Sequence, residues 1–228
     1  MLALRRYWAS DHSLSVLLLA LAFVIFVVPA LEGIGLAGRL LLALFFSLIL
    51  ISGVMAVARS APTTALVGGL VVTGLILRWL RLWIGGQSLV FSDVLVSSVF
   101  CATLAVVVMT QVLREGPITW YRIQGAVAFY LLLGLAWAFA YELVELEWPT
   151  AFNPPASAAA NPDADPTVRF VYFSFITLTT VGYGDVTAVH PLARSLVTME
   201  ALTGQLFPAI LLARLVSMEL YHRRDMSL

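Results

Sequence analysis

The chain has 228 residues, of which 61% are hydrophobic and only 11% are charged, and its mean hydropathy is +0.96. Soluble domains carry about 25% charged residues, so this composition excludes an ordinary soluble protein and indicates a protein of the lipid bilayer. The 13 basic residues balance the 13 acidic ones, and the three His and the single cysteine, Cys101, are scattered. Nothing here indicates a nucleic-acid partner, a disulfide, a clustered metal site or an organic cofactor.

Six apolar stretches are long enough, or nearly so, to cross the hydrocarbon core as helices, which takes about 20 residues. They are residues 14–31, 39–58, 63–84, 89–113, 121–147 and 191–217. An even number of spans puts both termini on one side, and the positive-inside rule selects the cytoplasm, because eight Arg fall on that side against five outside. The sequence therefore predicts an all-α, multi-pass protein of the plasma (inner) membrane with both termini cytoplasmic.

The first four spans form a predicted N-terminal membrane domain over residues 1–113, and residues 114–228 form a second domain. The fourth span contains no Arg. Arg78 and Arg81 lie near the end of the third span, where two arrangements are open. Their side chains either extend to the membrane interface or pair with Asp93 across the hairpin.

Between the fifth and sixth spans lie two segments of different character. Residues 148–166 are rich in Pro and Ala without an apolar period, which predicts an exposed loop. Its Asp163 and Asp165 either raise the local cation concentration or are ordinary solvated acids. Residues 170–178 predict a short helix, and the dipole of such a helix leaves its carboxyl end partially negative, which favours a nearby cation.

The loop after this helix reads Thr-Thr-Val-Gly-Tyr-Gly-Asp over residues 179–185. Gly182 and Gly184 can adopt positive φ at little steric cost, so alternating backbone conformations can turn successive carbonyls toward one axis. Thr180 can add its hydroxyl as the innermost ligand, whereas Val181 and Tyr183 would point away and hold the loop at a fixed radius. Oxygen ligands of this kind suit an alkali cation.

The last span combines two helix-weakening residues with one ionisable group. Gly204 and Pro208 lie one turn apart, which predicts a bend there, although close packing of Gly204 against the short helix is the alternative. Glu200 stands in an otherwise apolar stretch, where an ionisable group indicates a functional role. It is either a protonated, hydrogen-bonded group behind the loop or a sensor of pH, a role that His190 would also suit.

Residues 121–218 resemble the pore domain of tetrameric potassium channels, in the order outer helix, pore helix, selectivity filter and inner helix. Filters of that family are rings of backbone carbonyls from four TVGYG loops, which replace the hydration shell of K⁺. The resemblance implies a homotetramer with a re-entrant pore helix and filter loop. It also implies that K⁺ is coordinated by Thr180, Val181, Gly182, Tyr183 and Gly184.

The resemblance also assigns supporting roles. It implies that Tyr172, where Trp is the commoner residue, holds Asp185 behind the filter, with Thr179 in support. The bend at Gly204 and Pro208 would be the gating hinge. Ile176 stands where some prokaryotic members carry a Glu that pairs with the aspartate, so this chain lacks that pair.

The implied function is passive K⁺ conduction rather than enzymatic catalysis. A voltage sensor needs Arg at every third position of the fourth span, so weak or absent voltage dependence is expected. Two alternatives are open. Gly-Tyr-Gly-Asp also fits the Gly-x-Gly-Asp pattern of intramembrane aspartyl proteases, with Asp93 as the second carboxylate. The third possibility is a pore that no longer conducts and serves as a membrane scaffold.

Overall fold

The computed structural model describes residues 14–27, 29–31, 36–57, 61–113, 119–153 and 165–225. In these residues the protein is mostly helical, with a 3-10 turn at Pro29–Leu31 and a π-helical last turn, Phe23–Val27, in the first helix. The helices are α1 Leu14–Val27, α2 Leu36–Val57, α3 Ala61–Ile84, α4 Gln87–Val112, α5 Trp120–Glu147, α6 Pro166–Leu178 and α7 Pro191–Asp225. Strands β1 Phe152–Asn153 and β2 Thr187–Ala188 pair antiparallel. This ribbon is a departure from the all-α prediction.

Four of the described helices are long and apolar enough to cross a membrane, and the protein is a multi-pass membrane protein. The four are Thr64–Ile84, Gln87–Val112, Trp120–Glu147 and Pro191–Arg214. Two shorter apolar helical stretches, Leu14–Val27 and Leu40–Gly53, correspond to the first two predicted spans, so a total of six crossings stays a prediction. Residues 1–13 and 226–228, on which the predicted location of the termini depends, lie outside the described residues.

Helices α2 to α5 pack side by side in chain order. The contacts are close because small residues admit large ones. A Cβ built on Gly53 would lie 2.8 Å from the Leu104 side chain, and one on Gly125 would lie 2.8 Å from Val112. Buried side chains of α1, α2, α4, α5 and α6 belong to one continuous apolar cluster. The predicted boundary at residues 113 and 114 adjoins residues 114–118, which lie outside the described part of the chain.

A buried ion pair joins α3 to α4. The Arg78 guanidinium donates to Asp93 at 3.1 Å and to the Ser97 hydroxyl at 3.0 Å, and it lies 4.6 Å from the centre of the Phe46 ring. Arg81 reaches the other Asp93 oxygen at 3.3 Å. Of the two arrangements open to these arginines, the structure has the pairing with Asp93. The buried Asp93 carboxylate and the buried Arg78 guanidinium thus each have an opposite charge within the hairpin.

Helix α6 begins earlier than the sequence indicated, at Pro166 rather than at residue 170. The Asp165 carboxylate accepts a hydrogen bond from the Thr167 backbone N–H at 3.0 Å, which makes Asp165 the N-cap. Pro166 occupies the first helical turn, where its missing N–H costs nothing and its fixed φ suits a helix. Asp165 therefore starts the helix and is not a free loop acid, while Asp163 lies outside the described residues.

Helix α6 is held against α5 along its length. Its N-terminal turn is tied to α5 by two polar contacts, from the Thr167 hydroxyl to Glu142 at 2.9 Å and from Arg169 to Glu145 at 2.7 Å. Further along, a Cβ on Gly134 would lie 2.6 Å from the Phe175 ring, so only glycine permits this approach. The position and direction of α6 are thus fixed by α5, and α6 carries the 179–185 loop.

Candidate functional site

The 179–185 loop is tied to the last turn of α6 through backbone hydrogen bonds. The N–H groups of Thr179, Thr180 and Gly182 donate to carbonyls of that turn at 2.9 to 3.0 Å, and the Gly182 bond is accepted by the Ile176 carbonyl. The sequence singled out Ile176 only for the side chain it lacks. Its main-chain role left no signal in the sequence, because any residue supplies the same carbonyl.

Backbone φ is positive at every second residue of the loop. It is 62° at Thr180, 53° at Gly182 and 78° at Gly184. The two glycines adopt the conformation expected of them. Thr180 was not expected to, because positive φ is rare for a β-branched residue. Such strained backbone is concentrated at functional sites, and an alternation of this kind is the pattern that can turn successive carbonyls toward one side.

The carbonyls of residues 180–184 accept no hydrogen bond from the described part of the chain. The loop also exposes large side chains, with 52% of Val181 and 73% of Tyr183 accessible in the single chain. Exposed apolar groups are unfavourable unless something covers them, and backbone carbonyls without a donor in the chain need water or another partner. The loop therefore leaves unbonded backbone oxygens and two large side chains on a surface suited to contact with other groups.

Side chains behind the loop brace its two ends. The Tyr172 hydroxyl donates to the Asp185 carboxylate at 2.8 Å, at the C-terminal end of the loop. At the N-terminal end, Tyr130 of α5 donates to the Leu178 carbonyl at 3.1 Å, a contact that the sequence did not indicate. The Thr179 hydroxyl turns back into α6 and donates to the Phe175 carbonyl at 2.6 Å, so it caps the helix.

Glu200 is fully buried where α5, α6 and α7 meet. One of its carboxyl oxygens contacts the Tyr141 hydroxyl of α5, and the other lies 2.5 Å from the Ser174 hydroxyl of α6. Ser174 in turn lies 2.7 Å from the Gly134 carbonyl of α5. In the described part of the chain no basic side chain pairs with Glu200. Glu200 thus makes the hydrogen bonds expected of a group behind the loop, and a pH-sensing role stays a prediction.

Gly204 lies one turn beyond Glu200 and packs against the end of α6. A Cβ on Gly204 would lie 2.8 Å from the Leu178 carbonyl carbon, so the close-packing alternative describes this residue. Helix α7 runs unbroken through Gly204 and Pro208. Proline has no N–H for the carbonyl four residues earlier, which belongs to Gly204. The helix is therefore weakest at this point, and a gating hinge here stays a prediction.

The segment that follows the loop is anchored by the β1–β2 ribbon and by the residues next to it. The Val189 and His190 N–H groups both donate to the Ala151 carbonyl, at 2.8 and 3.2 Å. The His190 ring stacks on Trp148 with 4.9 Å between centroids, and its Nδ1 accepts from the Leu192 N–H at 3.3 Å. These contacts connect the segment after α5 to the start of α7, and they give His190 a structural role.

The two aspartates required for a Gly-x-Gly-Asp protease have separate partners. Asp93 pairs with two guanidinium groups, and Asp185 accepts from Tyr172. An aspartyl protease needs two carboxylates sharing one proton, and no hydrogen bond links this pair in the residues the structure describes. The same residues hold no group of three His, Cys, Asp or Glu side chains that could bind a metal ion.

Comparison with known proteins identifies the C-terminal part of the chain. Residues 126–220 match the family model described as "Ion channel" (Ion_trans_2). Protein LctB of Bacillus caldotenax is 32% identical over 90 residues, and Protein LctB of Geobacillus stearothermophilus is 34% identical over 90 residues. Each alignment covers 40% of this chain and 66% of the relative. No solved structure matches significantly. The chain therefore carries an ion channel domain that includes α6, the 179–185 loop and most of α5 and α7.

Proposed function

We propose that the protein is a potassium-selective channel that conducts K⁺ passively across the plasma membrane through the 179–185 loop. The observation that carries this proposal is the alternation of positive φ at Thr180, Gly182 and Gly184 in a loop whose carbonyls have no donor in the described chain. Carbonyl rings of this kind replace the water of a K⁺ ion.

The ion would be coordinated by the carbonyls of Thr180, Val181, Gly182, Tyr183 and Gly184, with the Thr180 hydroxyl as an additional innermost ligand. Three loop N–H groups, those of Thr179, Thr180 and Gly182, are taken up by α6, which leaves the carbonyls as the ligands for a cation. The carboxyl end of α6 adds a partial negative charge near the same point. K⁺ ions in the filter are the only cofactor the proposal needs.

The active assembly in this proposal is a homotetramer. One loop lines a single side of an ion path, and closed symmetry around one axis supplies the others. The surfaces left open in one chain are consistent with this, because apolar side chains of α7 are more than half exposed. They include Leu202, Leu206, Ile210 and Leu212. Lipid or neighbouring copies must cover such residues.

Voltage dependence is expected to be weak or absent. Helix α4 contains no Arg, and Arg78 and Arg81 of α3 share a buried carboxylate of α4, Asp93. Moving these arginines across the field would separate them from that carboxylate in a low-dielectric environment. A conductance-voltage curve that is steep, and that flattens when Arg78 and Arg81 are neutralised, would contradict this part of the proposal.

The test is a planar-bilayer measurement on the purified protein with K⁺ on one side and Na⁺ on the other. The sign of the reversal potential should be that of a membrane more permeable to K⁺ than to Na⁺. Ba²⁺ is expected to block the current from the site formed by Thr180. A current that does not distinguish K⁺ from Na⁺ would refute the selectivity. Purified protein that carries no current would favour the scaffold alternative.

A pair of Gly→Ala variants links the current to the loop. Gly182→Ala places a side chain where φ is positive, so K⁺ current should be lost. Gly69→Ala is the matched control, because Gly69 lies in α3 with ordinary φ and no heavy atom within 4 Å of an added Cβ. Equal currents from the two variants would show that the ion path lies elsewhere.

A further inference from the structure

The close oxygen–oxygen contacts around Glu200 outnumber the hydrogens available to them if Glu200 is an ionised carboxylate. Three O···O contacts run in series, from Tyr141 to Glu200, from Glu200 to Ser174, and from Ser174 to the Gly134 carbonyl. Each contact at hydrogen-bond distance requires one hydrogen. Tyr141 and Ser174 carry one hydroxyl hydrogen each, and the Gly134 carbonyl carries none.

The position of each hydrogen follows from these partners. The 2.7 Å contact to the Gly134 carbonyl can be filled only by the Ser174 hydrogen. The 2.5 Å contact between Ser174 and Glu200 then needs a hydrogen from Glu200 itself. Tyr141 supplies the third. As a carboxylate, Glu200 would leave one contact as a close approach of two oxygen lone pairs.

We propose that Glu200 is a neutral carboxylic acid, which donates a hydrogen bond to Ser174, accepts one from Tyr141 and thereby holds α7 against the end of α6. It is a positioning residue for the 179–185 loop, a role that rests on the proposed function. The groups facing it support a neutral state. Tyr141 and Tyr130 of α5 are its titratable neighbours, Ser174 faces it from α6, and no basic side chain approaches it in the described part of the chain. A buried charge without a counter-ion is strongly unfavourable.

This hydrogen-bonded contact between α7 and α6 lies about one turn before the loop. Ser174 and Leu178 lie on the same face of α6, four residues apart, as do Glu200 and Gly204 on α7. Glu200 hydrogen-bonds to Ser174, and Gly204 packs against Leu178. Thr179 follows at once, so a shift of α7 at Glu200 would be transmitted to the start of the loop.

Infrared spectroscopy of the purified full-length protein tests the protonation state without any current. At neutral pH, the wild-type minus Glu200→Gln difference spectrum should contain the carbonyl band of a protonated carboxylic acid. Ser174→Ala removes the acceptor, so this band should move to the frequency of a weaker hydrogen bond. Glu145→Gln is the matched control, because Glu145 pairs with Arg169 at 2.7 Å and should contribute no such band. Absence of the acid band from the Glu200 difference spectrum would overturn the proposal.

Conservative replacement tests the positioning role separately. Glu200→Gln preserves one donor and one acceptor, whereas Glu200→Ala preserves neither. K⁺ flux into vesicles should be at least about tenfold greater for Gln than for Ala, since the truncation leaves buried partners unsatisfied. Equal losses in the two variants would refute a hydrogen-bonded neutral acid. If the Gln variant fails to fold, the acid band of the wild type and its shift in Ser174→Ala still test the protonation state of Glu200. Neither of these two infrared readouts depends on selectivity for K⁺.

Discussion

Removing the charge of Asp93 should be the most damaging conservative change in the N-terminal helices. The Asp93 side chain is 1% exposed and the Arg78 side chain 8%, so Asp93→Asn strands a buried guanidinium. Breaking a buried pair in this way costs about 3–5 kcal/mol. Arg81 is 24% exposed and adds less, because it can extend its charge toward the interface. The free energy of unfolding in detergent micelles, measured by denaturant titration, should fall by that amount.

Two controls separate the stranded charge from general damage. Glu145→Gln breaks a pair whose partners are each 22% exposed, and it should cost about 1 kcal/mol or less. The double variant Arg78→Met with Asp93→Leu removes both charges, and it should be as stable as the wild type or more so. If the double variant is as unstable as Asp93→Asn, the loss is one of packing and the reasoning from stranded charge is wrong.

Two further predictions concern the support of the loop. Gly204→Ala should lower the free energy of unfolding by about 1–3 kcal/mol, because its Cβ would overlap the Leu178 backbone. Gly69→Ala should not lower it, and equal effects in the two would contradict close packing at Gly204. Tyr172→Phe removes the donor to Asp185, so K⁺ should protect the assembly less against heat, as measured by gel filtration after heating with and without K⁺. Unchanged K⁺ protection would show that Tyr172 does not hold the loop.

The helix positions were predictable because long apolar runs separated by turn residues leave few choices. The described bounds of α3, α4 and α5 lie within about two residues of the predicted spans. The start of α6 was missed for a local reason. The Pro- and Ala-rich stretch was treated as one loop, although Asp165 followed by Pro166 is an N-terminal capping pattern. The β1–β2 ribbon has two residues in each strand, too short for any alternation to appear.

The loop shows a different limit of sequence reasoning. Gly182 and Gly184 allow positive φ to be predicted, but Thr180 adopts positive φ against the preference of its own side chain. Its conformation is imposed by its surroundings. Its own N–H is bonded to the Thr177 carbonyl at 2.9 Å, and the Gly182 N–H is bonded to the Ile176 carbonyl at 3.0 Å. Backbone partners of this kind are set by the way α6 ends. They can be predicted only once the direction of the preceding helix is known.

The bonds that position the loop all come from behind it, and this has a consequence for the assembled protein. Helix α6 takes up three loop N–H groups, and α5 and α7 hold α6 through Tyr130, Glu200 and Gly204. Val181 and Tyr183 on the exposed side contact little within one chain. The backbone direction of the carbonyls is therefore set within a single chain, whereas their distance from a shared axis must be set by whatever packs on these two side chains. In the proposed tetramer, orientation and spacing of the ligands have separate origins, so substitutions at Val181 or Tyr183 should change ion selectivity while leaving the fold of each chain intact.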